Sequence, residues 1–280
     1  MRYPTTVRAL RRANWGAGFG SLVWLFLVGL PVYVVVAASL QTTSDFTRGG
    51  PLSWPRHLTF ANFSADFSTG FGRYFLNTVL LTAAVVAIVL LLVPPLAYAI
   101  VRARGRVAGT VFRMLLVGLA IPAQAVIVPV FYLISKAGLY DNLIGVILPT
   151  AAFALPVCTL VLSGVMRDIT PDLYEAMTLD GAGSFRTFFT LVVPLSRTGL
   201  STIVVFSALQ AWNGFLFPLV LTQSDSSKVI TLGLYDFQTA YGVNVPGLLA
   251  AVLMSMIPVL LVYLFARKAL VQGLMGVGGK

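Results

Sequence analysis

The chain has 280 residues, of which 58% are apolar and only 10% charged, and its formal net charge is +10 at pH 7. Soluble domains carry about 25% charged residues, so this composition excludes an ordinary soluble globular protein. One Cys and one His exclude an intrachain disulfide, and leave neither a His/Cys metal cluster nor a Cys–His nucleophile pair.

Six stretches contain no Asp, Glu, Lys or Arg: residues 22–40, 74–101, 114–134, 146–166, 198–220 and 247–266. A helix needs about 20 residues to cross a hydrocarbon core of roughly 30 Å. In lipid the backbone must satisfy its own hydrogen bonds, so runs of this length read as spanning helices. The expected fold is therefore an all-α integral membrane protein with six transmembrane helices. A cleavable signal peptide has an apolar region of about 7–15 residues; the first run here has nineteen and reads as an uncleaved span.

The basic residues orient the bundle. The flanks before residue 22, at 102–113, at 167–197 and from 267 onward hold four, four, three and three Lys or Arg. The alternate flanks, 41–73, 135–145 and 221–246, hold three, one and one. Cytoplasmic flanks carry the excess, which predicts an N-in/C-in topology and accounts for the net charge without a nucleic-acid partner. The expected division is a cytoplasmic segment 1–21, a first span 22–40, an extracytoplasmic segment 41–71, a transmembrane domain 72–267 and a cytoplasmic tail 268–280.

Ion-coupled carriers place ionisable groups inside the membrane, where each marks a pathway; these spans have none. A solute moving along them meets amides, hydroxyls and rings, with Ser207, Gln210, Trp212, Asn213 and Phe215 as path candidates in the later spans. Membership of an aromatic belt or simple packing stays open for Trp212, Phe215 and Phe217. Prolines recur near span centres (Pro31, Pro94, Pro95, Pro122, Pro129, Pro156, Pro218 and Pro258) and tend to kink helices. No G-x-S-x-G or H-E-x-x-H occurs. The terminal "GVGGK" lacks a Ser or Thr after Lys280, so the chain is expected neither to hydrolyse ATP nor to bind a metal or cofactor by itself.

Four of the nine acidic residues (Asp168, Asp172, Glu175 and Asp180) fall in one connection between apolar runs, "DITPDLYEAMTLDGAGSFRTFFTLVVP". Thr170-Pro171 reads as an N-cap followed by proline at the first helical position. Asp172 and Glu175 then occupy the first turns, where the helix dipole favours anions. Leu173, Ala176, Met177 and Asp180 form a stripe at helical spacing. Gly181 is placed to end the helix in a left-handed conformation, and Ser184 to cap a second stretch. Amphipathic helices that lie on the anionic inner leaflet are rich in Lys and Arg. This helix is acidic, which favours a protein partner over lipid.

"EAMTLDGAGSFRTFFTLVVPL" resembles the EAA loop of the membrane subunits of bacterial ABC importers. Glu175, Ala176, Asp180, Gly181 and Pro194 match that pattern, and Met177 replaces its third, usually Ala, position. "NTVLLTAAVVAIVLLLVPPLAYAIVRARGRVAG", "IPAQAVIVPVFYLISKAGLYDNLIGVIL", "AWNGFLFPLVL" and "FARKALVQGLMGVGGK" narrow the resemblance to the MalG-like (MetI/MalG-like fold) permeases of carbohydrate importers, over roughly residues 72–280. Gly214 stands where that subfamily usually has Glu.

The resemblance implies a multi-pass protein of the bacterial cytoplasmic membrane. Its EAA loop (168–194), with Asp172 among the acids, would dock on a cytoplasmic ABC ATPase dimer that binds the ATP. It further implies a sister permease subunit in a heterodimer, an extracytoplasmic solute-binding protein and a mono- or oligosaccharide substrate. The alternatives are an ABC permease for a peptide, amino acid or polyol, or an ion-coupled secondary carrier.

Overall fold

A computed structural model of the chain describes residues 15–68, 70–102, 105–234, 238–239 and 242–276. The basic residues expected before position 15, Arg104 and the last four positions lie outside the described residues.

The first apolar run folds as α1 (Trp15–Ser39). Phe19 and Trp24 on it are 71% and 69% exposed, whereas Ala37, Ala38 and Ser39 are buried. Two short helices follow, α2 (Thr43–Gly49) and α3 (Ala61–Ser68). Polar side chains tie them to the end of α1: the Asn62 amide donates to the Ser39 and Gln41 carbonyls, each at 2.8 Å. The Gln41 amide in turn donates to Ser53 O at 2.6 Å. Asp66 is buried on α3, and desolvation lifts its carboxyl to about 7.

The second run gives α4 (Phe71–Arg102), which stays helical through Pro94 and Pro95. Its buried side chains Leu81, Val85, Val89, Val93 and Ala97 recur every four residues. They meet Val146, Ala154, Cys158 and Leu162 of α7 (Leu143–Arg167) in one cluster, with α4 packed along both α7 and α11. α8 (Pro171–Leu179), α9 (Ser184–Thr187), a π-helical turn Phe188–Val192 and α10 (Val193–Leu195) lead into α11 (Arg197–Trp212). Where α11 crosses α7, a Cβ on Gly199 would lie 3.0 Å from the Leu162 and Val165 side chains, so a residue without Cβ permits the approach. The chain ends in α12 (Leu216–Leu221), α13 (Ile230–Gly233), a two-residue antiparallel pair β1 (Gln238–Thr239) and β2 (Gly242–Val243), and α14 (Val245–Gly276).

Among the described residues, four helices are long and apolar enough to cross a membrane, and the total is six if each of two bent pairs is one crossing. That upper total agrees with the six expected crossings, two of them made of bent helix pairs rather than one continuous helix. Run 114–134 is divided between α5 (Arg106–Leu119) and α6 (Ile127–Lys136), with a 3₁₀ turn at Ala123–Val126 and a 96° bend. Pro122 has no N–H and disfavours helix in the residue before it, and Ala120 and Ile121 make only turn-type bonds to Val117 O and Gly118 O. Run 198–220 is also interrupted. α11 ends at Trp212, and Asn213, Gly214 and Phe215 leave the helix before α12 begins. α11 alone, with sixteen residues, reaches about 24 Å, short of the ~30 Å core. On its other side, the segment Ser184–Leu195 joins α11 at a 76° bend, the second bent pair.

Candidate functional site

One end of the bundle is organised by α8. Thr170 is the N-cap, with Pro171 at the first helical position, but its hydroxyl makes no capping bond. The C-terminus is a full Schellman closure: Gly181 N–H donates to Thr178 O at 3.0 Å and Ala182 N–H to Met177 O at 2.9 Å. Gly181 sits at φ 72°, in the left-handed region that glycine enters without strain.

The side chains of α8 face differently from the expected stripe. Leu173 and Ala176 are exposed and Met177 is half-buried; among the helix's residues only Tyr174 is buried, at 4% exposure. The reason is angular. The helix meets the bundle along the line through Tyr174 and Met177, and leaves Leu173, Ala176 and Leu179 (89% exposed) on the open surface. Asp172, Glu175 and Asp180 are likewise exposed. An acidic, partly apolar helix face is thus presented outward, held from beneath by one ring. Ser184 is the first residue of α9 rather than its cap, which is Gly183. Pro194 lies in α10, two residues before the bend at Ser196.

Beside α8, Leu90, Pro94, Pro95 and Tyr98 of α4 face Phe185, Phe188 and Phe189 across an apolar groove of about 740 Å³. Phe185 is 79% exposed and Phe189 52%. The Phe188 ring lies 5.4 Å from that of Tyr98. The π-helical turn at Phe188–Val192 places an i→i+5 bulge, a feature found often at functional sites, between the acidic helix and α11.

The second candidate region is the break after α11. Gln210, Gly214 and Phe215, with Leu81 of α4 and Thr150 of α7, line a cavity of about 140 Å³. The Gln210 Oε1 is buried there without a hydrogen-bond partner, and the Gly214 carbonyl accepts from the Thr231 hydroxyl at 2.8 Å. The structure therefore brings two path candidates, Gln210 and Phe215, to one cavity. It sets the others apart. Trp212 is 8% exposed, its indole N–H donates to Ser255 O of α14 at 3.2 Å, and its ring packs edge-on to Phe75 at 5.7 Å. Ser207 is buried and donates back to Ile203 O at 2.7 Å. Asn213 is exposed, with its amide on Leu209 O at 2.9 Å. Gly214 shapes the cavity too: it adds no side chain to the space between Gln210 and Phe215.

At the opposite end from α8, Asp141 joins the α6–α7 loop to the α12–α13 loop. Its Oδ1 accepts the backbone N–H groups of Gln223 and Ser224 at 2.8 and 2.9 Å. Its own N–H donates to Leu221 O at 2.9 Å, and its carbonyl accepts from Ser227 Oγ at 2.7 Å. These bonds hold a non-glycine residue at φ 56° and keep its carboxyl below the usual value near 3.8. Neither Tyr174 nor Asp141 stood out in the sequence. The "GLYDN" stretch carried a turn signal, but its long-range partners had no local mark.

Residues 95–275 match the family described as "Binding-protein-dependent transport system inner membrane component". The chain is 33% identical over 251 residues to the diacetylchitobiose uptake system permease protein NgcG of Streptomyces coelicolor, covering 88% of this chain and 83% of that one. It is 28% identical over 250 residues to the melibiose/raffinose/stachyose import permease protein MelC of Bacillus subtilis, covering 88% and 89%. Its fold superposes with a TM-score of 0.82 on a chain of a bacterial ABC transporter involved in import of the acidic polysaccharide alginate, at 21% identity, covering 95% of this chain and 99% of that one. This multi-pass protein of the cytoplasmic membrane belongs to the family of binding-protein-dependent transport system inner membrane components.

Proposed function

We propose that the chain is a permease subunit of an ATP-driven carbohydrate importer, coupled to a separate cytoplasmic ATPase dimer through α8 and paired with a sister permease across the membrane. The observation that carries this reading is the outward acidic face of α8, closed by Gly181, in a chain of this family. Supporting the substrate class are the sugars in the relatives' names and spans free of ionisable residues. A neutral polyol such as a saccharide needs hydrogen-bond partners without fixed charge, and the unpartnered Gln210 Oε1 is an acceptor for a hydroxyl. An extracytoplasmic binding protein delivers the solute; a solved relative at 18% identity was crystallised with such a protein. ATP binds on the ATPase and not on this chain, so Glu175, Asp172 and Asp180 act as docking groups and not as catalysts.

The test is reconstitution. Proteoliposomes holding this chain, its sister permease and the ATPase are expected to import a labelled saccharide only with ATP inside and the binding protein outside, while the purified chain alone hydrolyses no ATP. Hydrolysis by the isolated chain, or uptake driven by an ion gradient without ATP, would overturn the reading.

A further inference from the structure

The acidic face of α8 explains docking but not transmission: exposed side chains do not by themselves carry a displacement into the bundle. Tyr174 alone of α8 is buried. It belongs to the same apolar cluster as Val93 and Ala97 of α4, Met166 of α7 and Val192 of the π-helical turn. The Arg102 guanidinium, on the last residue of α4, stands over its ring at 4.2 Å from the centroid, within the range of cation–π attraction. The Tyr174 hydroxyl is buried with no hydrogen-bond partner, so the ring and not the hydroxyl holds the contact. Burial pushes this phenol up despite the opposing pull of Arg102, and it stays neutral.

α4 carries the contact further. It is a single helix from Phe71 to Arg102, and Leu81, twenty-one residues before Arg102, lines the cavity that holds Gln210 and Phe215. At 1.5 Å per residue the two points are about 30 Å apart along one rod. Close-packed side chains transmit displacement because interiors do not compress.

We infer that Tyr174 is a positioning residue: its ring, clamped by Arg102, is the pin through which movement of α8 shifts α4 and thereby reshapes the cavity at the α11–α12 break. The inference rests on the docking role proposed above for α8. It separates two functions along one short helix, with Glu175 and its neighbours facing the ATPase and Tyr174 facing the bundle.

The experiment uses the assembled transporter on a Cys158→Ser background with a Phe215→Cys reporter in the cavity. The labelling rate of that cysteine by a small methanethiosulfonate reagent is measured nucleotide-free and after trapping with ATP and vanadate, alongside ATPase co-purification. Trapping is expected to change the rate roughly tenfold in the parent protein and hardly at all in Tyr174→Ala, with Tyr174→Phe restoring the change and Arg102→Gln intermediate. Arg102→Gln added to Tyr174→Ala should cause no further loss, since both remove one contact. Co-purification is expected to persist in all four variants. A full response in Tyr174→Ala, or a response lost equally in Tyr174→Phe, would overturn the pin. So would loss of co-purification in Tyr174→Ala with a full response in Arg102→Gln, because the ring would then only fold the helix. A parent protein that binds the ATPase yet shows no change on trapping also overturns it. One that binds no ATPase at all sinks the docking role itself.

Discussion

At Gly181 the backbone sits at φ 72°, and a Cβ added there would meet nothing within 4 Å. Space is therefore not the constraint; conformation is. A β-branched residue in the left-handed region is strained by about 1–3 kcal/mol, and the chain relieves that strain by opening the Schellman bonds to Thr178 O and Met177 O. Six crossings in lipid tolerate such a local change, whereas the angle of α8 does not. Gly181→Val is expected to insert normally, to lose uptake and to weaken ATPase co-purification, while Gly181→Asn, which enters this region more readily, retains more of both. Wild-type uptake and co-purification in Gly181→Val would reduce the bend to ordinary loop chemistry. Gly181 was legible in the sequence because its signal is local, a glycine directly after a capped acidic helix. Tyr174 was not, because which face of a nine-residue helix turns inward depends on α4 and on Arg102, seventy-two positions earlier.

Among elements, the apolar runs announced helices and said little about their continuity. Charge-free composition is indifferent to a 96° bend at Pro122 or to the three-residue interruption at Asn213–Phe215. Proline stands at the first of these places but not at the second, where Pro218 already lies inside α12, and it also occurs inside α4, α7 and α14, where the helices continue. What distinguishes the breaks is tertiary: the Gly214 carbonyl, released from the helix, is taken up by Thr231 from a later element. The loops at the far end are fixed in the same long-range way, by Asp141. Asp141→Asn keeps an acceptor oxygen and a residue type at home near φ 56°, so it should leave the loop pair intact. Asp141→Ala removes the acceptor of two N–H groups and leaves a residue less suited to φ 56°, a local loss of about 1 kcal/mol. Hydrogen exchange at the Gln223 and Ser224 amides checks this, with faster exchange expected in Ala and not in Asn. The pH dependence follows from the direction of the shift. The folded carboxyl titrates below its ordinary value near 3.8 because it accepts the Gln223 and Ser224 N–H groups. Its contribution is complete above that ordinary value and is lost only as pH falls through the lowered folded one. Exchange at these two amides should be indifferent to pH-driven opening across the neutral range. Opening near neutrality would show that the carboxylate is not what holds the loops.

For the whole molecule, orientation comes from the distribution of basic residues. The structure does divide its features between two ends. α8, Arg102 and the exposed phenylalanines lie at one; α2, α3 and the Asp141-linked loops lie at the other. In the sequence, the set of flanks that includes the α8 connection holds fourteen of the nineteen Lys and Arg, and the alternate set holds five. If the positive-inside bias governs insertion, α8 faces the compartment that holds ATP, and the transport reading is self-consistent. Single cysteines on a Cys158→Ser background decide it. Reporters near Arg104 and Arg186 should be shielded from impermeant thiol reagents in intact cells and react after permeabilisation, while a reporter beside Lys228 should react in intact cells. Lys228 suits the purpose because it lies on a loop held by the Asn77 amide through Ser226 O and Lys228 O, both at 2.8 Å, so its position follows that of α4. The reverse pattern would place the acidic helix outside, away from any ATPase. The docking role of Glu175, the hinge at Gly181 and the pin at Tyr174 would fall together.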